Sequence, residues 1–540
     1  MRCLIAALAL ASNAAAAQVC KPPPGVPGFA ELEAAGATVG EIRAEPQDVF
    51  DLTDPKEDNS LFRLANALHI VTRPGVVRRL VLFESGEPLS VHLIEETERV
   101  MRANRQFYDV CIRPVAWHDG VVDIEVRTRD TWSLDPGLSF SRTGGANSTG
   151  IGLKEENLLG TGTSIGFSRK SDVDRTGSEF SIGHQHLLGG WTAINYTNSD
   201  FDDGKAQSLS VARPFYSLDT RWAASFTAFT DDRVESVYSG GNIVAQYLRQ
   251  QKAAELSGGW SRGLVDGWTR RYTAGLTYRD DQYELDPERT APSQLPADQR
   301  RVAPFLRYEV IEDRFEKFDN RNLIGRPEYF LTGFSSAVQV GYAFSELGST
   351  SEQWIYFGQV SNGFEFSGDH VLLTSASFSG QSGGDVAESQ SLGGSTSYFA
   401  PQGSHTLFYA AVSLDTVFGV DVSNQLLLGG DNGLRGYPLR YQTGKHRALF
   451  TVEERFYTDW YPFRLFRIGA AAFLDVGRAW GGDTANNADP GWLANVGFGM
   501  RVISARSAFG NVWHFDVAFP LSPAPGVKPV QFLVKTRKSF

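Results

Sequence analysis

The stretch Ile468-Gly469-Ala470-Ala471-Ala472-Phe473-Leu474-Asp475-Val476-Gly477 decides the fold class. Ile468, Ala470, Ala472, Leu474 and Val476 make one unbroken apolar face, and Gly469, Ala471, Phe473, Asp475 and Gly477 lie opposite. Successive side chains of a strand point to opposite faces, so this is a strand with one apolar side and one side that admits a carboxylate. Lipid outside and a polar lumen inside ask for that pattern. The theme returns in Ala494, Val496, Phe498, Met500 and Val502 against Asn495, Gly497, Gly499 and Arg501. It returns again in Trp513, Phe515, Val517 and Phe519 against His514 and Asp516.

From Trp132 to Phe540 the chain shows no helical periodicity, only alternation broken by Gly/Asn/Asp/Ser clusters. No apolar run approaches the roughly 20 residues of a membrane helix. Only helices and closed barrels satisfy their backbone in lipid, which leaves a soluble exported β protein or a transmembrane barrel. The composition (55 Gly, 12% aromatic, 3 Met, 3 Cys) suits both; the alternation favours the barrel over a large sandwich or propeller. At ~9–11 residues per tilted strand, plus turns and loops, residues 132–540 hold roughly 16 antiparallel strands. The polar stretches Asp280–Arg300 and Gly380–Gly403 read as extracellular loops. Val530 to Phe540 is a strand-like run ending on an aromatic, so Phe540 is expected to be the C-terminal barrel signal on a strand that pairs with the first.

The other end of the sequence sets the compartment. Arg2, the apolar run Leu4–Leu10 and Ala15-Ala16-Ala17 form a secretory signal over residues 1–17, followed by a Pro/Gly/Ala-rich linker over 18–36. An acylated Cys20 is disfavoured by the bulky Val19. Cys20 and Cys111 leave two readings open: a disulfide in an oxidising compartment, or two free thiols. The net charge of −11 argues against nucleic acid as a partner.

Residues 37–131 have the texture of a small α/β unit. Val39–Ala44 reads as a strand, and Leu61, Leu64, Ala65 and Leu68 recur at helical spacing. Ser90 is the N-cap of a second helix carrying Leu93, Thr97, Val100 and Met101. Tyr108–Ala116 and Val121–Arg127 follow as strands around a turn at His118-Asp119-Gly120.

Four local patterns resemble one family. Gly433-Leu434-Arg435-Gly436-Tyr437 resembles the (V/L)RG(F/Y) signature of the re-entrant loop in BamA/TamA-like and two-partner-secretion barrels. Phe473-Leu474-Asp475-Val476-Gly477 with Trp480 looks like that family's F-x-D-x-G strand, and Val452-Glu453-Glu454-Arg455-Phe456 like its V-E-x-R-F strand. Asn157-Leu158-Leu159-Gly160-Thr161-Gly162 looks like the N-x-L-G-x-G element near the start of such barrels. Residues 37–131 resemble a single POTRA domain, through Val39-Gly40-Glu41-Ile42 and Gly86-Glu87-Pro88-Leu89-Ser90, with an insertion around Asp51–Arg73.

The resemblance implies a bacterial outer-membrane barrel with its POTRA domain in the periplasm, inserting or translocating client proteins. Its partners would be outer-membrane lipid, an unfolded or extended client polypeptide, and periplasmic chaperones or assembly partners. It implies a loop tip of Leu434, Arg435, Gly436 and Tyr437 pinned to the inner wall by Arg435–Asp475, with Glu453 a second partner and Phe473 and Gly477 completing the strand motif. Elementary electrostatics agrees, because a guanidinium in a lumen needs a carboxylate and the alternation turns Asp475 and Glu453 inward. The competing function is a passive pore or structural barrel, which needs neither the POTRA domain nor this pairing. No Gly-x-Ser-x-Gly element and no Ser/His/Asp set marks an enzyme. The nine His are scattered without a ligand cluster, so neither a metal nor a cofactor is expected.

Overall fold

The structure, a computed structural model, describes residues 20–187, 189–383, 389–419, 425–482, 490–508, 511–522 and 526–537. The expected signal peptide and Phe540 lie outside these residues.

The N-terminal unit is a three-stranded sheet covered by helices. Thr38–Gln47 runs parallel to Val121–Asp130, which pairs antiparallel with Phe107–His118, leaving the first and last of these as edges. Helix Val91–Ala103 begins where Ser90 accepts a hydrogen bond from the Leu93 amide at 3.4 Å. It buries Ile94, Thr97 and Met101, one helical stripe, against Val39, Val122, Ile124 and Val126. The stretch expected to be linker is not wholly so: Phe29–Ala34 is a helix whose Leu32 is fully buried in this core. One leucine in a Pro/Gly/Ala background has no periodicity to betray it. Cys20 and Cys111 form a disulfide, and Arg113 on the same edge strand donates to the Lys21 carbonyl. The N-terminal segment is thereby tied to that edge.

Residues from Leu134 onward close into a barrel. Among the described residues it has twenty strands, from Leu134–Thr143 to Gln531–Arg537, each antiparallel to its neighbours. The expected count of about 16 is therefore corrected to twenty. The reason is visible in Ser389–Pro401. This strand occupies most of the stretch Gly380–Gly403 that reads as a loop, because its serines and glycines carry no apolar alternation. The expected loop at Asp280–Arg300 is shorter too, since flanking strands extend to Glu284 and start at Gln299. Leu138, Leu306, Phe498 and Phe532 stand on the outer face at 58–82% exposure. A continuous apolar exterior of this kind is what a barrel presents to lipid.

The barrel's closure is uneven. Among the described residues, the first and last strands share a single register pair, Val534 with Arg142. The last strand matches its other neighbour at seven positions, Val512 to Ala518, and the first matches its own at ten, Leu134 to Thr143.

The short barrel turns lie against the N-terminal unit, and Asn157–Gly162 forms the joint. Asn157 is buried; its Nδ2 donates to Thr72 Oγ1 at 2.7 Å and its Oδ1 accepts from the Gly162 amide at 2.8 Å. Arg73 donates its amide to the Gly160 carbonyl at 2.9 Å. Gly160 has φ +69°, and a Cβ there would lie 2.4 Å from the Val71 carbonyl oxygen, so only glycine allows this approach. Gly160→Val is expected to unseat the unit from the barrel. Limited proteolysis should then release the N-terminal unit several times faster, at about the 1–3 kcal/mol such backbone strain costs, from a barrel that stays folded. Unchanged cleavage would mean that other contacts hold the joint.

Candidate functional site

The candidate site is the loop between the strands Thr406–Phe418 and His446–Tyr457. Its stem is a small ladder, Leu426–Leu428 against Gln442–Gly444. Backbone hydrogen bonds from the Leu434 amide to Gly429 O and from the Tyr437 amide to Leu434 O curl the tip. Leu428, Leu434 and Tyr437 are fully buried and pack with Tyr441, Ala479 and Leu493, so the loop is lodged inside the barrel.

The strand register prepares the wall that receives it. Thr451 lies opposite Asp475, and Asp475 opposite Asn495, so three neighbouring strands bring these polar residues to one level. Arg435 donates Nε to Asp475 Oδ2 at 2.8 Å and Nη2 to Oδ1 at 2.7 Å, a two-pronged pair; Nη1 donates to Glu453 Oε1 at 2.9 Å. Asp475 also accepts from Thr451 Oγ1 at 3.0 Å and Asn495 Nδ2 at 2.9 Å. Arg455 Nε holds the other oxygen of Glu453 at 2.9 Å. Arg501 pairs with Asp516 at 2.5 Å, and Asp516 lies 4.0 Å from Arg435. Arg435, Arg455 and Arg501 thus face Asp475, Glu453 and Asp516, with Lys535 and Arg537 of the last strand close by; low-dielectric burial requires such carboxylate partners.

The remaining motif residues shape the seat. The Arg435 guanidinium lies 3.4 Å over the Phe473 ring, a cation–π contact. The Gly436 amide donates to Asn495 Oδ1 at 3.0 Å; a Cβ on Gly436 would lie 2.6 Å from the Asn495 Cβ, so glycine sets the closeness of tip and wall. Tyr437 Oη donates to the Ala494 carbonyl at 2.9 Å. Gly477 leaves room for Leu428 of the stem.

The far shoulder of the loop grips other strands. Arg440 makes a two-pronged pair with Asp174, at 2.7 and 2.5 Å, in the turn between the third and fourth barrel strands, Thr163–Ser171 and Thr176–Leu187. Leu439 abuts Gly144 at the tip of the first barrel hairpin. Lys535 of the last strand donates to the Asp431 carbonyl at 2.6 Å.

Sequence reading misses Asn495, Thr451, Arg455, Arg501, Asp516, Asp174 and Arg440 as partners. Their inward direction follows from alternation for the strand residues, but which of them share a level depends on inter-strand register. Arg440 and Asp174 lie 266 positions apart, with no local signal joining them. The scattered histidines also conceal one grouping among the described residues: His92, Glu96 and Asp219 have ligand atoms within 4.8 Å of one another. Burial pushes the Glu96 carboxyl up. Glu96 already accepts from Arg99 and from the Leu218 amide, and His92 faces Asp313. The neighbouring Arg99 opposes a cation there.

Fold and interior together define a closed antiparallel barrel, bearing one small α/β domain at its end and plugged from within by an arginine-anchored loop. No protein-family model matches the sequence. Among solved structures the chain is similar to BamA from Haemophilus ducreyi lacking POTRA domains 1-3, with 13% identity, 92% of this chain and 84% of that chain covered, and a TM-score of 0.37. It is also similar to CdiB from Acinetobacter baumannii (11% identity, 92% and 74% covered, TM-score 0.42). CdiB from Escherichia coli gives 13% identity, 92% and 76% covered, and a TM-score of 0.47. These similarities are distant.

Proposed function

We propose that the chain is an outer-membrane protein that handles client polypeptides, with its N-terminal unit a single POTRA-type domain in the periplasm. The observation that carries this reading is the closure, which among the described residues runs through one register pair, Val534 with Arg142. Two strand edges so sparsely matched among the described residues offer amide and carbonyl groups to an incoming extended segment, which is strand addition. The domain below carries its own edge, Thr38–Gln47; its start is bonded to Gly86 and Glu87, and the remainder from Arg43 is where a client can pair before reaching the wall. A passive pore gains nothing from a weak closure.

The test is quantitative proteomics of outer-membrane and secreted fractions with and without the gene. Depletion of many unrelated barrels identifies an assembly factor, and loss of one exported protein a dedicated transporter. No change in either fraction overturns client handling.

A further inference from the structure

Helix Ser60–Leu68 has two apolar faces, and only one of them is packed. Asn59 caps it by accepting from the Phe62 amide at 3.0 Å, and the Asn66 amide group ties it to the Phe50 backbone. Phe62 and Ala65 face inward against Phe50 and Leu465. Leu61, Leu64 and Leu68 form a second stripe at i, i+3 and i+7, exposed at 61, 56 and 67%. In water such a stripe is costly and unexplained by folding.

Its surroundings indicate what covers it. A groove of about 350 Å³ separates this stripe from the barrel, with Trp132, Phe466 and Ser504 among its walls. Phe466 shares its strand face with Ile468 and Leu474, and Ser504 with Met500 and Phe498; these are the outward faces of adjacent strands. The groove therefore opens on the outside of the barrel. The turn beside it carries Trp460 and Phe463 at 64 and 78% exposure, aromatic side chains at the rim where barrels meet the headgroup layer. The leucine stripe thus continues the apolar exterior past the end of the strands. Nine residues cannot cross a bilayer, but they can lie in its surface. An extended client needs free backbone groups to pair with, and a helix face of leucines offers none.

We propose that Leu61, Leu64 and Leu68 insert into the acyl region of the membrane leaflet facing the N-terminal domain, so that this helix fixes the domain's height and tilt against the bilayer. The proposal rests on the barrel spanning a membrane.

The test uses the full chain, with the Cys20–Cys111 bridge intact, reconstituted into phospholipid vesicles containing nitroxide-labelled acyl chains. An environment-sensitive fluorophore is placed in turn at Leu64→Cys, at Arg63→Cys on the polar face, and at Phe498→Cys on the barrel exterior. Expected is quenching at Leu64 and Phe498 at least about twofold greater than at Arg63, as for a helix lying in the interface. Quenching at Phe498 but not at Leu64 overturns the proposal and leaves the membrane barrel standing. If Leu64 is then blue-shifted yet unquenched, the stripe is covered by protein, a second copy or another partner. Absence of quenching at Phe498 removes the membrane reading itself.

Discussion

Arg435→Ala is expected to destabilise the folded barrel by about 3–5 kcal/mol, the usual consequence of removing one member of a buried ion pair, and to abolish the client handling proposed above. The substitution leaves Asp475, fully buried, with Thr451 and Asn495 as its side-chain donors among the described residues, and Glu453 with Arg455 as its hydrogen-bond donor and Arg501 nearby. It also removes the charge over the Phe473 ring. Arg435→Lys should recover little, because an ammonium cannot reproduce the parallel pair of hydrogen bonds to Asp475. Exchanging the charges, Arg435→Asp with Asp475→Arg, should restore part of the loss and no more, since the new carboxylate would face Glu453. Thermal unfolding of the purified barrel in detergent reads the stability. A double variant no better than either single one would show that the pairing carries no energy of its own.

The second large effect concerns the closure. Cysteines at Arg142 and Val534, the one register pair between first and last strands among the described residues, sit directly opposite, where side chains come within bridging range. Oxidation should stop client handling completely while the barrel remains folded, and reduction should restore it. Retained activity in the oxidised form would mean that clients never use these edges. The bridge should form in high yield, which gel mobility under non-reducing conditions checks independently.

How far the fold could be read in advance depended on what each strand faces. Where one side meets lipid and the other the lumen, as in Ile468–Gly477, alternation gives the strand and its orientation. Where small polar residues fill both sides, as in Ser389–Pro401, period two disappears and strands go uncounted. For the site, Arg435, Asp475 and Glu453 were legible through motif and alternation. Asn495 and Thr451 were not, because a one-residue slip of register would carry each away from Asp475, and register is a property of the whole wall. Asn157 and Gly160 stood out as a pattern, but their contact with Thr72 and Arg73 is set by how the two units dock.

The loop's two attachments have a mechanical meaning. Arg435, Gly436 and Tyr437 hold strands that precede the closure, whereas Arg440 and Leu439 hold turns that follow it. Among the described residues, the ends of the wall are therefore latched to each other through this loop more than through their own backbones. Opening sideways and emptying the channel become one equilibrium: a segment that competes for the Asp475 carboxylate inside, or for the exposed Asp174 carboxylate in its turn, also loosens the wall, in proportion to its preference for the unlatched state.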